Sequence, residues 1–329
     1  MLSPTPFRDT YLVAGFELRE MLRSRRAFLI VALYLLVAAF ATFNFVRLLN
    51  VTQNLTQAPP RWQRRDVPAP NPATSGHVEA HPFQPPPATA VPKGPSQGAF
   101  FSRWSPFRGI LSDQVTDPTT VDFLVAKPLI ALFFMLVCLL AVPILIMITA
   151  SESIAQEHQT RGVRFTALRT GRVEFVVGKV LGQAFLMAVV VLLSAGLCLA
   201  MGAWKLADFE WGPAISAMLV FWPRIVAFCV PFVGLASLCS MNCSSALSAR
   251  AFALIGIGAV WMVHGLTGYY ADTSLAGFFN VLDQFEPYAH ESELWTATYA
   301  TVGPAMAILV GLGVLYVAVG LIFYSRRDL

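Results

Sequence analysis

The sequence predicts an all-α integral membrane protein with six transmembrane helices and both termini cytoplasmic. Three observations predict it. Of the 329 residues, 56% are hydrophobic and 13% charged, with a mean hydropathy of +0.61; soluble domains carry about 25% charged residues, so most of this chain belongs in lipid. Six apolar runs are each long enough for a bilayer, which takes about 20 helical residues to cross. Thirteen Lys and Arg fall in the segments assigned inside and nine in those assigned outside, most of the nine in one loop too long for the charge rule to govern. The net charge of +4 therefore sits beside spans, where it sets orientation, and no nucleic-acid partner is expected. The five cysteines lie in or beside apolar runs, which implies packing rather than a disulfide framework.

Residues 1–26 place Tyr11, Ala14, Leu18, Met21 and Leu22 at helical spacing, with Glu17, Arg19, Glu20 and Arg23 on the opposite arc. That pattern predicts an amphipathic helix at the cytoplasmic interface, with Arg23, Arg25 and Arg26 abutting the first span. Span 1 is 27–46, and its long amphipathic lead argues for a retained helix over a cleaved signal. Residues 47–126 form an extracytoplasmic loop with 11 prolines between Pro59 and Gly98, too many for helix or regular sheet. An extended strap is expected. His77 and His81 flank Glu79 and are weak metal candidates, because Pro82 argues against the helix that a zinc-binding motif needs. Phe100, Phe101, Trp104 and Phe107, with Arg103 and Arg108, read as an interface belt leading to span 2 at 127–150.

The stretch that organises the chain is the cytoplasmic loop 151–175 with the start of span 3, 176–200. Arg161, Arg164, Arg169, Arg172 and Lys179 make it strongly basic. Gly162 and Gly171 bracket about two helical turns, in which Phe165 and Leu168 share a face. The order Glu157, Arg161-Gly162, Leu168, Arg172, then Gly178-Lys179 and Gly182 resembles the segment after the second span in permease subunits of type 2 ABC exporters. In that family an acidic-basic-glycine cluster precedes a short coupling helix, and a Gly-Lys pair opens the third span. The resemblance implies that Glu157, Arg161, Gly162, Phe165, Leu168, Arg169 and Arg172 dock a separate ATPase. It implies the same for the amino-terminal helix through Glu17, Arg19 and Arg23, for which a plain membrane-surface anchor is the other reading. This chain departs from the family pattern in carrying Thr170-Gly171 where a Pro-Val-Ser-like piece precedes the arginine.

Span 4, 213–241, is longer than one crossing needs and contains Pro223-Arg224. Two placements compete for Arg224. In the favoured one residues 213–222 lead in along the outer interface and Arg224 snorkels; in the other it lies in the membrane and is a candidate path residue. Span 5 is 251–269, with His264 in its outer half expected to cap a hydrogen bond, since no chain of proton-relay partners is visible. The loop 270–301 holds Asp272, Asp283, Glu286, Glu291 and Glu293 and no Lys or Arg, so it is expected outside, with short apolar pieces able to re-enter the outer leaflet. Span 6, 302–324, ends at Arg326-Arg327 and returns the tail to the cytoplasm.

No phosphate-binding loop is present, because Val180 follows Gly178-Lys179 where Ser or Thr should hold magnesium. No nucleophile elbow, Ser-Lys pair or intramembrane acid pair is present either. The chain is therefore expected to have no catalytic residue and no cofactor of its own. The resemblance implies that ATP and Mg are bound by the partner ATPase. It further implies export, a homodimer or a pairing with a similar permease, and residence in a bacterial inner membrane. An alternative role is a non-transporting scaffold that uses an ATPase partner to assemble or remodel envelope proteins through the Pro-rich loop. The substrate is not specified by any motif.

Overall fold

A computed structural model describes residues 10, 13–16, 19, 25–57, 117–160, 171–206, 209–270 and 274–326. Among them there is no strand. The helices are α1 (Arg25–Gln57), α2 (Pro118–Val125), α3 (Leu129–Ala150), α4 (Ser153–Gln159), α5 (Arg172–Lys205), α6 (Trp211–Asn242), α7 (Ala246–Tyr269), α8 (Ala276–Asp283), α9 (Glu291–Leu294) and α10 (Tyr299–Ser325). A single 3-10 turn, Pro287–His290, precedes α9. Six are long and apolar enough to cross a membrane: α1, α3 with its α4 continuation, α5, α6, α7 and α10. The fold is therefore all-helical with six membrane-spanning helices, as composition and hydropathy predict.

Helix is the form these sequences take because lipid offers no partner for a backbone N–H or C=O, and a helix satisfies both within the segment. The same reason lets Pro143, Pro223, Pro231 and Pro304 sit inside α3, α6 and α10. Where polar sequence flanks a span, side chains define its start. Asp117 caps α2 by accepting from the Thr119 amide at 3.1 Å and from the Thr119 and Thr120 hydroxyls at 2.6 and 2.8 Å. Those donors hold its carboxyl below the usual range. Ser245 caps α7 through the Ser248 amide at 3.2 Å.

The central element is α6, which packs against α3, α5, α7 and α10. Its Phe221, Ile225, Phe228, Phe232 and Val233 are buried in the main core with Met135, Leu139 and Ile146 of α3 and Leu309 of α10. Where α6 meets α10 the two backbones touch: a Cβ on Gly234 would lie 2.4 Å from the Gly313 carbonyl oxygen, and one on Gly313 would lie 2.9 Å from that of Val230. Only glycine permits that approach, and close approach is what packs helices in lipid, where no hydrophobic force draws them together. By contrast α7 presents Leu254, Ile255 and Met262 outward, and α10 presents Ile308, Val314 and Phe323. These are the surfaces suited to acyl chains.

The apolar run expected to break near Pro223 is one unbroken helix, Trp211–Asn242. Arg224 is 2% exposed, so its side chain is enclosed by the protein. Of the expected loop 47–126, residues 58–116, with the Pro-rich strap and His77 and His81, lie outside the described residues, while α1 runs on as far as Gln57 and α2 forms at Pro118–Val125.

Candidate functional site

Two regions bring polar side chains together inside this apolar bundle. The first is its basic end, where α4, the start of α5 and the ends of α6 and α10 meet. α4 continues α3 after a turn at Ser151 and Glu152, and its buried Ile154 and Ala155 would leave first-turn amides without partners. Ser240, fully buried on α6, takes both: its hydroxyl accepts from Ile154 N–H at 3.0 Å and Ala155 N–H at 2.9 Å. One hydroxyl thus welds the base of the 151–175 loop to the central helix.

From α4, Glu157 reaches Lys179 of α5 at 2.5 Å; the lysine side chain is 4% exposed and the carboxylate 26%. The lysine also lies 5.4 Å from the Phe175 ring centre. A lysine this deep is stable only with a charged partner, so the pair fixes the angle between α4 and α5. Its neighbour Gly178 has a different task. A Cβ there would stand 2.6 Å from Val13 Cγ1, so the helical stretch that includes Val13–Phe16 lies directly against α5. The Gly178-Lys179 pair therefore serves two contacts, glycine toward the amino-terminal helix and lysine toward α4.

Three more ties close this end. Arg172 Nη1 donates to the Ser325 carbonyl at 3.1 Å, joining the start of α5 to the end of α10. Arg250 of α7 pairs with Glu152. His158 packs edge-on against the buried Tyr324, ring centres 5.4 Å apart. Of the predicted docking residues, Glu157 and Arg172 are thus engaged within the chain, and Arg19 is helical and exposed. Arg161, Gly162, Phe165, Leu168 and Arg169, with Glu17 and Arg23, lie outside the described residues. Sequence reading missed Ser240, Tyr324 and Arg250; a lone Ser at the end of an apolar run gives no local sign of a partner 86 residues away.

The second region is at the opposite end, where the segment between α7 and α10 folds back into the bundle. Arg224 anchors it. Nη1 donates to the Leu294 carbonyl at 2.7 Å and to the Thr296 carbonyl at 2.9 Å. The first of these oxygens ends α9, where a helix leaves carbonyls unsatisfied, and the second lies two residues past it; one guanidinium answers both. Its plane lies 5.6 and 5.7 Å from the ring centres of Phe123 and Phe221. Arg224 is therefore a staple between α6 and the inserted segment, and two carbonyls with two aromatic faces replace the water it gave up. Tyr288 wedges its ring between Phe228 and Phe232 of α6, 5.4 and 5.6 Å away. Leu294 and Glu286 are buried.

Glu286 begins the 3-10 turn by accepting from Tyr288 N–H at 2.9 Å, and its other oxygen lies 3.0 Å from His264 Nδ1 of α7. Burial pushes this carboxyl up to about 7, against the pull of the Tyr288 amide and of His264. Asp283 Oδ1 lies 3.8 Å from the same imidazole nitrogen. His264, Asp283 and Glu286 form the one cluster of metal-ligating atoms among the described residues. The expectation that His264 makes a hydrogen bond is met, and its partners come from beyond its own helix.

The fold and these two polar ends define a multi-pass integral membrane protein whose spans are tied to one another at both surfaces. The profile of the ABC-2 family transporter protein matches residues 11–329, nearly the whole chain, and the chain belongs to that family. It is a membrane permease component of an ABC transporter, and that family supplies the membrane part of the machine rather than its catalytic part. A comparison with curated proteins finds no match.

Proposed function

We propose that this chain is the permease subunit of an exporter whose separate ATPase docks on the basic end, and that this end carries the ATPase's motion into the spans. One observation carries the reading. Every described element that borders residues 161–170 is locked to a different span: α4 to α6 through Ser240 and to α5 through Lys179, the start of α5 to α10 through Arg172, and Glu152 to α7 through Arg250. A push on that segment has no slack to be lost in. The amino-terminal helix, seated on Gly178, joins the same block.

In this reading Phe165, Leu168 and Arg169 face the ATPase, with Arg19 and its neighbours beside them, while Glu157 and Arg172 hold the lever that those residues push. The excess of Arg and Lys at this end assigns it to the cytoplasm, and both termini with it. ATP and Mg are bound by the ATPase, which closes and opens two permease copies as rigid bodies against each other. Placement in a bacterial inner membrane follows from the same resemblance.

The test is co-purification of the ATPase with Phe165→Ala and Arg169→Glu in mild detergent. Both variants are expected to insert normally and to lose most of the ATPase. Unchanged recovery in both would contradict the docking assignment. A scaffold acting through the Pro-rich loop predicts the opposite sensitivity: deleting residues 59–98 would abolish function while ATPase-driven transport by the full chain would be undetectable.

A further inference from the structure

We propose that His264, Asp283 and Glu286 form a binding site for a first-row divalent cation, zinc being the best fit, which clamps the inserted segment to α7 at the acidic end of the bundle. The ligand atoms are already gathered. Nδ1 of His264 lies 3.0 Å from Glu286 Oε2 and 3.8 Å from Asp283 Oδ1, and all three lie within 4.8 Å of one another. Zinc bonds to nitrogen and oxygen are about 2.0–2.2 Å, so adjacent ligands of a tetrahedral ion stand about 3.4 Å apart. The separations of 3.0 and 3.8 Å bracket that value.

A second observation points to a cation rather than to a hydrogen-bonded pair. Among the described residues, Asp283 Oδ1 accepts no hydrogen bond, and this one oxygen of a side chain that is 25% exposed is itself shut off from solvent. Nδ1 carries at most one proton, and Glu286 Oε2 is the closer acceptor for it, so protonating His264 leaves the aspartate oxygen unserved. A cation at their common focus serves all three. Buried carboxylate oxygens without donors are rare in folded proteins unless an ion or water completes them.

The surroundings favour positive charge and fix the donors. Glu291 is a third carboxylate near His264, and residues 270–301 hold five acids and no Lys or Arg. Glu286 is positioned by the Tyr288 amide on its free oxygen, and Tyr288 is held in turn by Phe228 and Phe232. Such outer contacts hold a ligand in its binding rotamer before the metal arrives. Asp283 ends α8 and Glu286 begins the next turn, three residues on, while His264 is on α7. One imidazole with two carboxylates suits Zn2+, and the half-exposed His264 leaves a side open for water as the fourth ligand. A bound ion would thus add a third tie to the contacts that α7 already makes with this segment through the His264–Glu286 and Tyr270–Phe279 pairs.

The experiment uses the full chain carrying His77→Ala and His81→Ala, which removes the other histidine pair, purified in detergent and stripped with chelator. Zinc alone is titrated while bound metal and thermal melting are followed. One equivalent is expected, with a raised melting temperature, and His264→Ala or Asp283→Asn is expected to weaken it about 100-fold or more. Zinc-edge X-ray absorption on the same protein is expected to show one imidazole among oxygen ligands. No stoichiometric zinc, equal binding in both variants, or a ligand shell without imidazole would overturn the site. The absorption measurement keeps the test decisive if a variant fails to fold.

Discussion

At the scale of single residues, the buried charges show how an apolar bundle tolerates polar groups. Lys179 and Arg224 are both nearly inaccessible, and each is matched differently: the lysine faces a carboxylate and a ring, the arginine two carbonyls and two rings. Removing one member of the first pair takes away the opposite charge that the other faces, so Lys179→Met should cost about 2 kcal/mol of stability, and adding Glu157→Gln should restore part of it. Thermal melting in detergent of the two singles and the double checks this. Non-recovery in the double would mean that the pair is not what the lysine is there for. Arg224→Ala strands two carbonyls at about 1–3 kcal/mol each, whereas Arg224→Lys keeps a donor and should lose roughly half as much. Equal melting of wild type and Arg224→Ala would contradict the staple.

Arg224 also marks the limit of what its own neighbourhood discloses. The Pro223-Arg224 pair invites a break in the helix and a side chain reaching for water, because locally proline interrupts and arginine needs solvation. Its partners lie 70 and 72 residues away on a segment whose acidic character reads as plain outer loop. His264 follows the same logic: its position in a span was evident, and its two carboxylates were not, since the chain must fold back to present them.

At the scale of elements, the six apolar runs were evident because hydropathy is a local property and the bilayer sets one length for all of them. Helix contacts are not local. The approach of α6 to α10 depends on Gly234 and Gly313, which in sequence are two glycines among many. Gly313→Leu should force the helices apart and destabilise the protein by about 2 kcal/mol, within the usual cost of overpacking. Gly258→Ala on α7, with nothing within 4 Å, should leave melting within about 0.5 kcal/mol of wild type. Similar effects of the two would show that the α6–α10 contact is loose. At the Gly178-Lys179 pair, singled out by the resemblance, the structure shows a seat for the amino-terminal helix and a partner for α4.

At the scale of the whole molecule, the two ends have different characters. The basic end is a set of direct ties among α4, α5, α6, α7 and α10 around one short segment, which suits transmission of force. At the acidic end an inserted segment is held by Arg224, the Tyr288 wedge, the His264 cluster and the Tyr316 hydroxyl on the Phe285 carbonyl. Motion entering at one surface and release at the other are what alternating access requires.

The central claim is that the basic end receives an ATPase and depends on it. A mild-detergent pull-down of the chain from its native membrane, with ATP hydrolysis measured on the product, tests this most directly. The account predicts a stoichiometric ATPase without spans of its own, whose activity changes when this subunit is removed. Recovery of only membrane or envelope proteins, with no ATPase, would contradict it.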